Sequence, residues 1–281
     1  MEVPTLRPLA GIEVVSLAVN LPGPLAAARL AELGATVTKV EPPTGDPLAA
    51  AAPDWYTRLV AGQQVVTLDV KQQADRGKLD ELLESADLLI TSMRPTALAR
   101  LGLAQPHERF PGLSLIEIVG HADDPEVPGH DLNYQAVHGT LTPPRMPTVP
   151  VADMLGAERA VSTALAALVS RSKTGVGQPY RVALEEAAAW AGQAVRHRLM
   201  GEGAVLGGAF PGYGIYACAD GHVALGAVEP HFFMGALATF GADGTHESFA
   251  QAFADRTIAE LEAIAAREDL PLNGIRTHSG K

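Results

Sequence analysis

The sequence contains a single cysteine, Cys218, so no disulfide can close within the chain, and such usage fits a reducing compartment. Aromatic residues are scarce, at 5%, which leaves the core to small and aliphatic side chains. No apolar run reaches the roughly 18 residues that a membrane-spanning helix needs. Met1 to Pro8 lacks a basic region followed by an apolar one, so no secretory leader is expected. The terminal Ser279-Gly280-Lys281 is not the peroxisomal tripeptide. A cytoplasmic protein is the expectation. Positive charge is also in short supply: 21 Lys and Arg stand against 32 Asp and Glu, for a formal charge of −11. A nucleic-acid binder needs the opposite balance.

Several chemical signatures are missing as well. The chain has no Gly-x-Ser-x-Gly elbow, no Walker loop, no His-Glu-x-x-His and no Cys-x-x-Cys, so no metal site is expected. The first strand-turn-helix reads Asn20-Leu21-Pro22-Gly23-Pro24, and its prolines remove N–H groups that would cradle a dinucleotide pyrophosphate.

What is present is a soluble globular balance, 47% hydrophobic and 19% charged over 281 residues, enough for one large domain or two ordinary ones. Ile12–Leu17, Thr36–Glu41, Val65–Val70, Asp87–Met93, Leu113–Val119 and Tyr180–Leu184 read as strands. Helical segments at Pro22–Leu33, Gln72–Ser85 and Thr96–Leu101, and a long Ala- and Leu-rich one at Asp153–Ser172, fall between them. Such alternation indicates crossover units and a parallel sheet, a Rossmann-like α/β domain. Glu185–Leu199 continues as a helix, and a Gly-rich stretch follows to Gly214. Ala219-Asp220-Gly221 then joins two strands as a hairpin, with short helices after Glu229. The expected organisation is a large domain over residues 1–205 and a smaller α+β domain over 206–281.

The polar residues that invite chemistry lie at Gly129-His130-Asp131-Leu132-Asn133-Tyr134 and at Asp153. Taken alone, Asp153 reads as the N-cap of the long helix, and the helix dipole there would keep its carboxylate ionised. His130 alone reads as a hydrogen-bonded structural histidine. Cys218 and Trp190 read as core residues.

A resemblance adds to this. Leu9 to Val15 with Pro22-Gly23-Pro24 and Leu33-Gly34-Ala35 is similar to the opening of family III CoA-transferases. So are Thr67-Leu68-Asp69-Val70-Lys71, Ser85-Ala86-Asp87, Arg94-Pro95 and the run from Arg171 to Gln178. Two further marks resemble the α-methylacyl-CoA racemase branch: the Gly129 to Tyr134 motif, and Glu229-Pro230 after the hairpin. The resemblance implies that His130 and Asp153 exchange a proton on opposite faces of the carbon beside a CoA thioester, with Glu229 orienting the imidazole. It implies an intertwined homodimer, an acyl-CoA substrate held in part by Arg94, Thr67, Leu68, Asp69, Gly129, Asp131 and Tyr134, and no cofactor beyond the CoA of the substrate. Arg58 and Lys71 are weaker phosphate candidates. The transferases of the family would instead use Asp153 as a nucleophile. A third alternative is a relative that binds acyl-CoA without catalysis, since Pro42 and Gln63-Gln64 replace basic residues at CoA-contacting positions and family chains continue past this length.

Overall fold

In the computed structural model, which describes residues 7–276, the contacts divide the chain into two compact units between Gly192 and Gln193. Residues 1–6 and 277–281 lie outside the described range, and with them most of Met1 to Pro8 and all of Ser279-Gly280-Lys281.

The first unit is built on six strands: β1 (Glu13–Ser16), β2 (Thr36–Glu41), β3 (Gln64–Thr67), β4 (Leu88–Thr91), β5 (Ser114–Val119) and β6 (Pro179–Ala183). All pair in parallel, in the order β3-β2-β1-β4-β5-β6. That is the doubly wound arrangement, with its topological switch between β1 and β4. Crossovers run through α1 (Pro22–Glu32), α2 (Pro47–Ala51), α3 (Pro53–Leu59), α4 (Gln73–Ser85), α5 (Pro95–Arg100), α6 (Pro106–Arg109), α7 (Asp131–Val137) and α8 (Val151–Thr174), and α9 (Leu184–Ala191) follows β6.

Successive strand side chains point to opposite faces, and the two cores follow that rule. Val14, Leu88, Ile90, Ile116 and Ile118 pack with the alanines of α1 and α8. Their neighbours Val15, Leu89 and Leu115 pack with Leu79 and Leu83 of α4 and Leu98 of α5. On α8 the buried stripe is Ala152, Gly156, Ala157, Ala160, Val161, Ala164 and Ala167. Small residues at this spacing let neighbouring helices approach closely; a side chain at Gly156 would run into Leu184. The helix ends where Gly175 takes φ 77°, a conformation that favours glycine.

The second unit holds α10 (Gln193–Arg196), an antiparallel sheet of β7 (Tyr213–Cys218), β8 (Gly221–Gly226) and β9 (Leu272–Gly274), and α11 (Pro230–Phe240), α12 (His246–Ala254) and α13 (Ile258–Arg267). Its core is Tyr216, Val223, Leu225, Phe240, Phe249, Phe253 and Leu261. Strand β9 corrects the expectation of helices alone after Glu229. The expected helix 185–199 is likewise broken. At Gly192 a Cβ would come within 2.6 Å of the His138 carbonyl oxygen, so backbone crosses there where a side chain would otherwise stand. Trp190 is 63% exposed, against its expected core role, because α9 buries Leu184, Ala187 and Ala188 instead.

Candidate functional site

A cavity of about 230 Å³ opens in the first unit. Val19 and Asn20, which follow β1, Ser92 to Arg94, which follow β4, and Ile118 to Gly120 at the end of β5 form one side of it. It therefore lies at the carboxyl ends of the strands, at the switch point where such sheets bind ligands. Gly129, His130, Tyr134 and Asp153 complete the wall.

Asp131 brings His130 and Asp153 together. Its Oδ1 accepts the backbone N–H of Ala152 at 2.7 Å and of Asp153 at 3.3 Å, while Oδ2 accepts from Gln135 Nε2 at 2.6 Å. Gln135, buried, also donates to the Val149 carbonyl at 3.1 Å. The orphan N–H groups of α8 are thus satisfied from α7. The N-cap position itself belongs to Pro150, which has no side-chain donor or acceptor. This corrects the reading of Asp153 as the N-cap: it sits in the first turn, and its carboxyl takes no part in capping.

The electrostatics also reverse the sequence expectation. Burial, followed by the nearby Asp131 carboxylate, pushes the Asp153 carboxyl up from 3.8 to about 6, with His130 pulling the other way. Desolvation and a like charge outweigh the helix dipole at this position. Tyr134 is buried beside it, and burial and the Asp153 charge raise its phenol. A Cβ at Gly129 would stand 2.7 Å from the Tyr134 hydroxyl, and one at Gly120 would also strike it. Glycine at both positions makes room for the ring. His130 is exposed at the start of α7, where its N–H donates to Asn133 Oδ1 at 3.1 Å.

Arg94 lines the same cavity and is exposed at the N-cap of α5. Glu126 accepts from Thr96 N at 2.8 Å and from Thr96 Oγ1 at 3.0 Å, pinning the acidic loop whose Pro125, Val127 and Pro128 also line the cavity. Thr67, Leu68 and Asp69 lie elsewhere, at the end of edge strand β3. Leu68 is buried in the core with α4, Asp69 caps a turn by accepting from Lys71 N at 3.1 Å, and none of the three lines the cavity. Glu229 belongs to the second unit, exposed at the N-cap of α11, with no cap hydrogen bond from its side chain. Cys218 is half-buried at the end of β7, with Sγ 3.7 Å from Asp220 Oδ1.

A buried ionic group was not anticipated. Lys39, 1% exposed, donates to Asp46 Oδ2 at 2.8 Å and to the Ala18 carbonyl at 2.9 Å, with Glu41 Oε1 at 3.6 Å. Tyr56 donates to Glu41 Oε1 at 2.6 Å. The signal was in the sequence: Lys39 and Glu41 share one face of a strand whose other residues are apolar or Thr, and Asp46-Pro47 is a cap followed by a helix-starting proline.

The family model for CoA-transferase family III matches residues 9–279. The chain belongs to CoA-transferase family III. Within that family it is 30% identical over 247 residues to human alpha-methylacyl-CoA racemase, covering 80% of this chain and 63% of the relative. It is also 30% identical over 199 residues to a formyl-CoA:oxalate CoA-transferase of Streptomyces avermitilis, covering 64% and 49%. The chain thus spans about half the length of that transferase. The fold matches a crystal structure of a CaiB/BaiF family protein from Brucella suis with a TM-score of 0.80 at 23% identity, covering 97% of this chain and 85% of that one. Racemase and transferase relatives stand at the same identity, so the family membership leaves the specific activity open.

Proposed function

We propose that the protein is a racemase or epimerase of 2-methylacyl-CoA thioesters that works by two-base α-proton transfer. The observation that carries this reading is an imidazole and a carboxyl of pKa about 6 lining one cavity, His130 and Asp153. A reversible acid–base pair must hold and release a proton near the working pH, which a carboxyl in the ordinary range does poorly.

In the reaction, one of the pair takes the α-proton and the C–H electron pair moves onto the thioester oxygen, forming an enolate. The other delivers a proton to the opposite face, and the electron pair returns to carbon. Nothing is oxidised or reduced, so the step requires no redox cofactor. Arg94 at the cavity wall is the candidate for a CoA phosphate, with Thr67, Leu68 and Asp69 as candidates for a remote part of so long a ligand. In the homodimer implied by the family resemblance, Glu229 of the partner subunit would orient His130 and fix its tautomer. Mixing His130→Ala chains with Glu229→Ala chains would then restore activity absent from either alone.

A transferase reading draws support from the Streptomyces relative: the same Asp153 would attack the thioester to form an anhydride and then an enzyme-bound CoA thioester. His130 has no step in that scheme. Incubation with 2-methylacyl-CoA esters in heavy water separates the readings. Deuterium that enters the α-carbon of one epimer through His130 and of the other through Asp153 supports racemisation. Transfer of CoA to an added carboxylate that depends on Asp153 alone overturns it in favour of the transferase. Neither reaction, together with tight binding in a CoA titration, overturns both in favour of an acyl-CoA-binding protein.

A further inference from the structure

Proton transfer beside a thioester leaves negative charge on the carbonyl oxygen, and the largest single contribution to such reactions comes from a fixed donor aimed at that charge. Most polar groups of the cavity have other commitments. His130 and Asp153 carry the proton under the reading above. The Ser92 hydroxyl accepts from Val19 N at 3.2 Å and donates to the Val19 carbonyl at 3.4 Å. Tyr134 is boxed in by Gly120 and Gly129, and its hydroxyl, like the Asn20 carboxamide, makes no side-chain hydrogen bond among the described residues. Arg94 stands exposed at the head of α5.

Asn20 remains. It lines the cavity at φ 71°, a left-handed conformation that costs most residues ~1–2 kcal/mol but that Asn adopts more readily. Its carboxamide makes no hydrogen bond with the protein among the described residues, whereas its backbone is rigidly kept. Asp46 Oδ1 accepts Asn20 N at 2.9 Å, the Lys39 ammonium donates to the Ala18 carbonyl at 2.9 Å, and Ser92 holds Val19 between them. Three side chains from three different segments thus hold three consecutive residues. Behind them, a side chain at Gly23 would strike Ala18, so the turn also lies tightly on α1. So much fixation of one exposed turn, ending in an uncommitted amide at the cavity wall, is what a preorganised donor requires.

We propose that Asn20 is a catalytic residue whose carboxamide N–H donates to the thioester oxygen as enolate charge develops. This rests on the α-proton-transfer reading. The decisive variant is Asn20→Gly in the full chain, because glycine accepts the left-handed turn and deletes only the carboxamide. With 2-methylacyl-CoA in heavy water, Asn20→Gly is expected to slow α-deuterium entry at saturating substrate by ~10²–10³-fold, with KM within a few-fold and the melting temperature kept. Asn20→Asp, which replaces the donor by an acceptor, is expected to slow it at least as much. Exchange by Asn20→Gly within about threefold of the parent overturns the proposal while leaving the proton-transfer reading intact. A rise in KM with kcat kept also overturns it, since that marks uniform binding and not charge stabilisation. If the parent itself exchanges no label, the proton-transfer reading fails and takes the Asn20 proposal with it.

Discussion

One aspartate holds the turn at the cavity wall and another lines the cavity itself, and the chain treats them in opposite ways. Asp46, in the segment after β2, is buried, paired with Lys39 and loaded with the N–H groups of Asn20 and Leu48. Asp153, in the first turn of α8, is half-buried with no cation paired to it among the described residues, and burial and a second carboxylate oppose its charge. The first charge is used up in fixing backbone. The second stays ready to change protonation state, which is the difference between a structural carboxylate and a working one.

Breaking the first pair should produce the largest effect. Lys39→Met leaves the Asp46 carboxylate buried without its cation, and should lower stability by about 3–5 kcal/mol in urea unfolding. Asp153→Asn should act with the opposite sign. A carboxyl raised to about 6 in the native state, from 3.8, binds more protons folded than unfolded between those values. Its ionisation therefore subtracts stability as pH rises through that window, by ~2–3 kcal/mol in full. The isosteric amide escapes this, so Asp153→Asn should be more stable than the parent by about 1–2 kcal/mol at pH 8, with the gain gone near pH 4, while α-proton exchange is lost from one epimer. A stability loss at pH 8 would erase the contrast between the two aspartates.

Asp131→Asn sharpens it further. The amide oxygen can still accept from Ala152 N, but the charge that helps raise Asp153 is gone. The inflection near pH 6 in the exchange rate, where Asp153 acts as base and activity grows with its ionisation, should move downward. The smallest effect should come from Glu126→Ala, which frees the acidic loop from Thr96. It should cost about 0.5–1.5 kcal/mol in thermal unfolding.

The inner strands were legible because they are largely buried on both faces and so read as runs rich in β-branched and apolar residues, while the more exposed edge strands β3 and β6 were legible from their place between helical segments. The α8 stop at Gly175 was legible because Gly after Lys-Thr is a local signal. Strand β9 was not: three residues carry no alternation, and its pairing of Leu272 with Leu225 joins segments far apart in sequence. Trp190 misled because helix pattern alone does not say which face a neighbour covers. At the site, His130, Asp153, Arg94, Gly129 and Tyr134 were picked out in the sequence and line the cavity, but their physics was not visible. Asp153 looked like a cap held ionised by a helix; the cap is Asp131, supplied from another helix, and the burial that raises Asp153 exists only once α7 and α8 meet. The Lys39–Asp46 pair left only a trace in the sequence, two charges on one strand face and a cap before Pro47, and its burial, like the fixing of the Asn20 turn, is a property of the fold and not of a motif.

The most direct test uses each epimer of a 2-methylacyl-CoA separately, in heavy water, with the parent, His130→Ala and Asp153→Asn. Two bases on opposite faces predict that the parent labels both epimers, that each variant fails to abstract the α-proton from one of them, and that the two variants fail on opposite epimers. Equal loss on both epimers, or dependence on Asp153 alone, would contradict two-base proton transfer at this site.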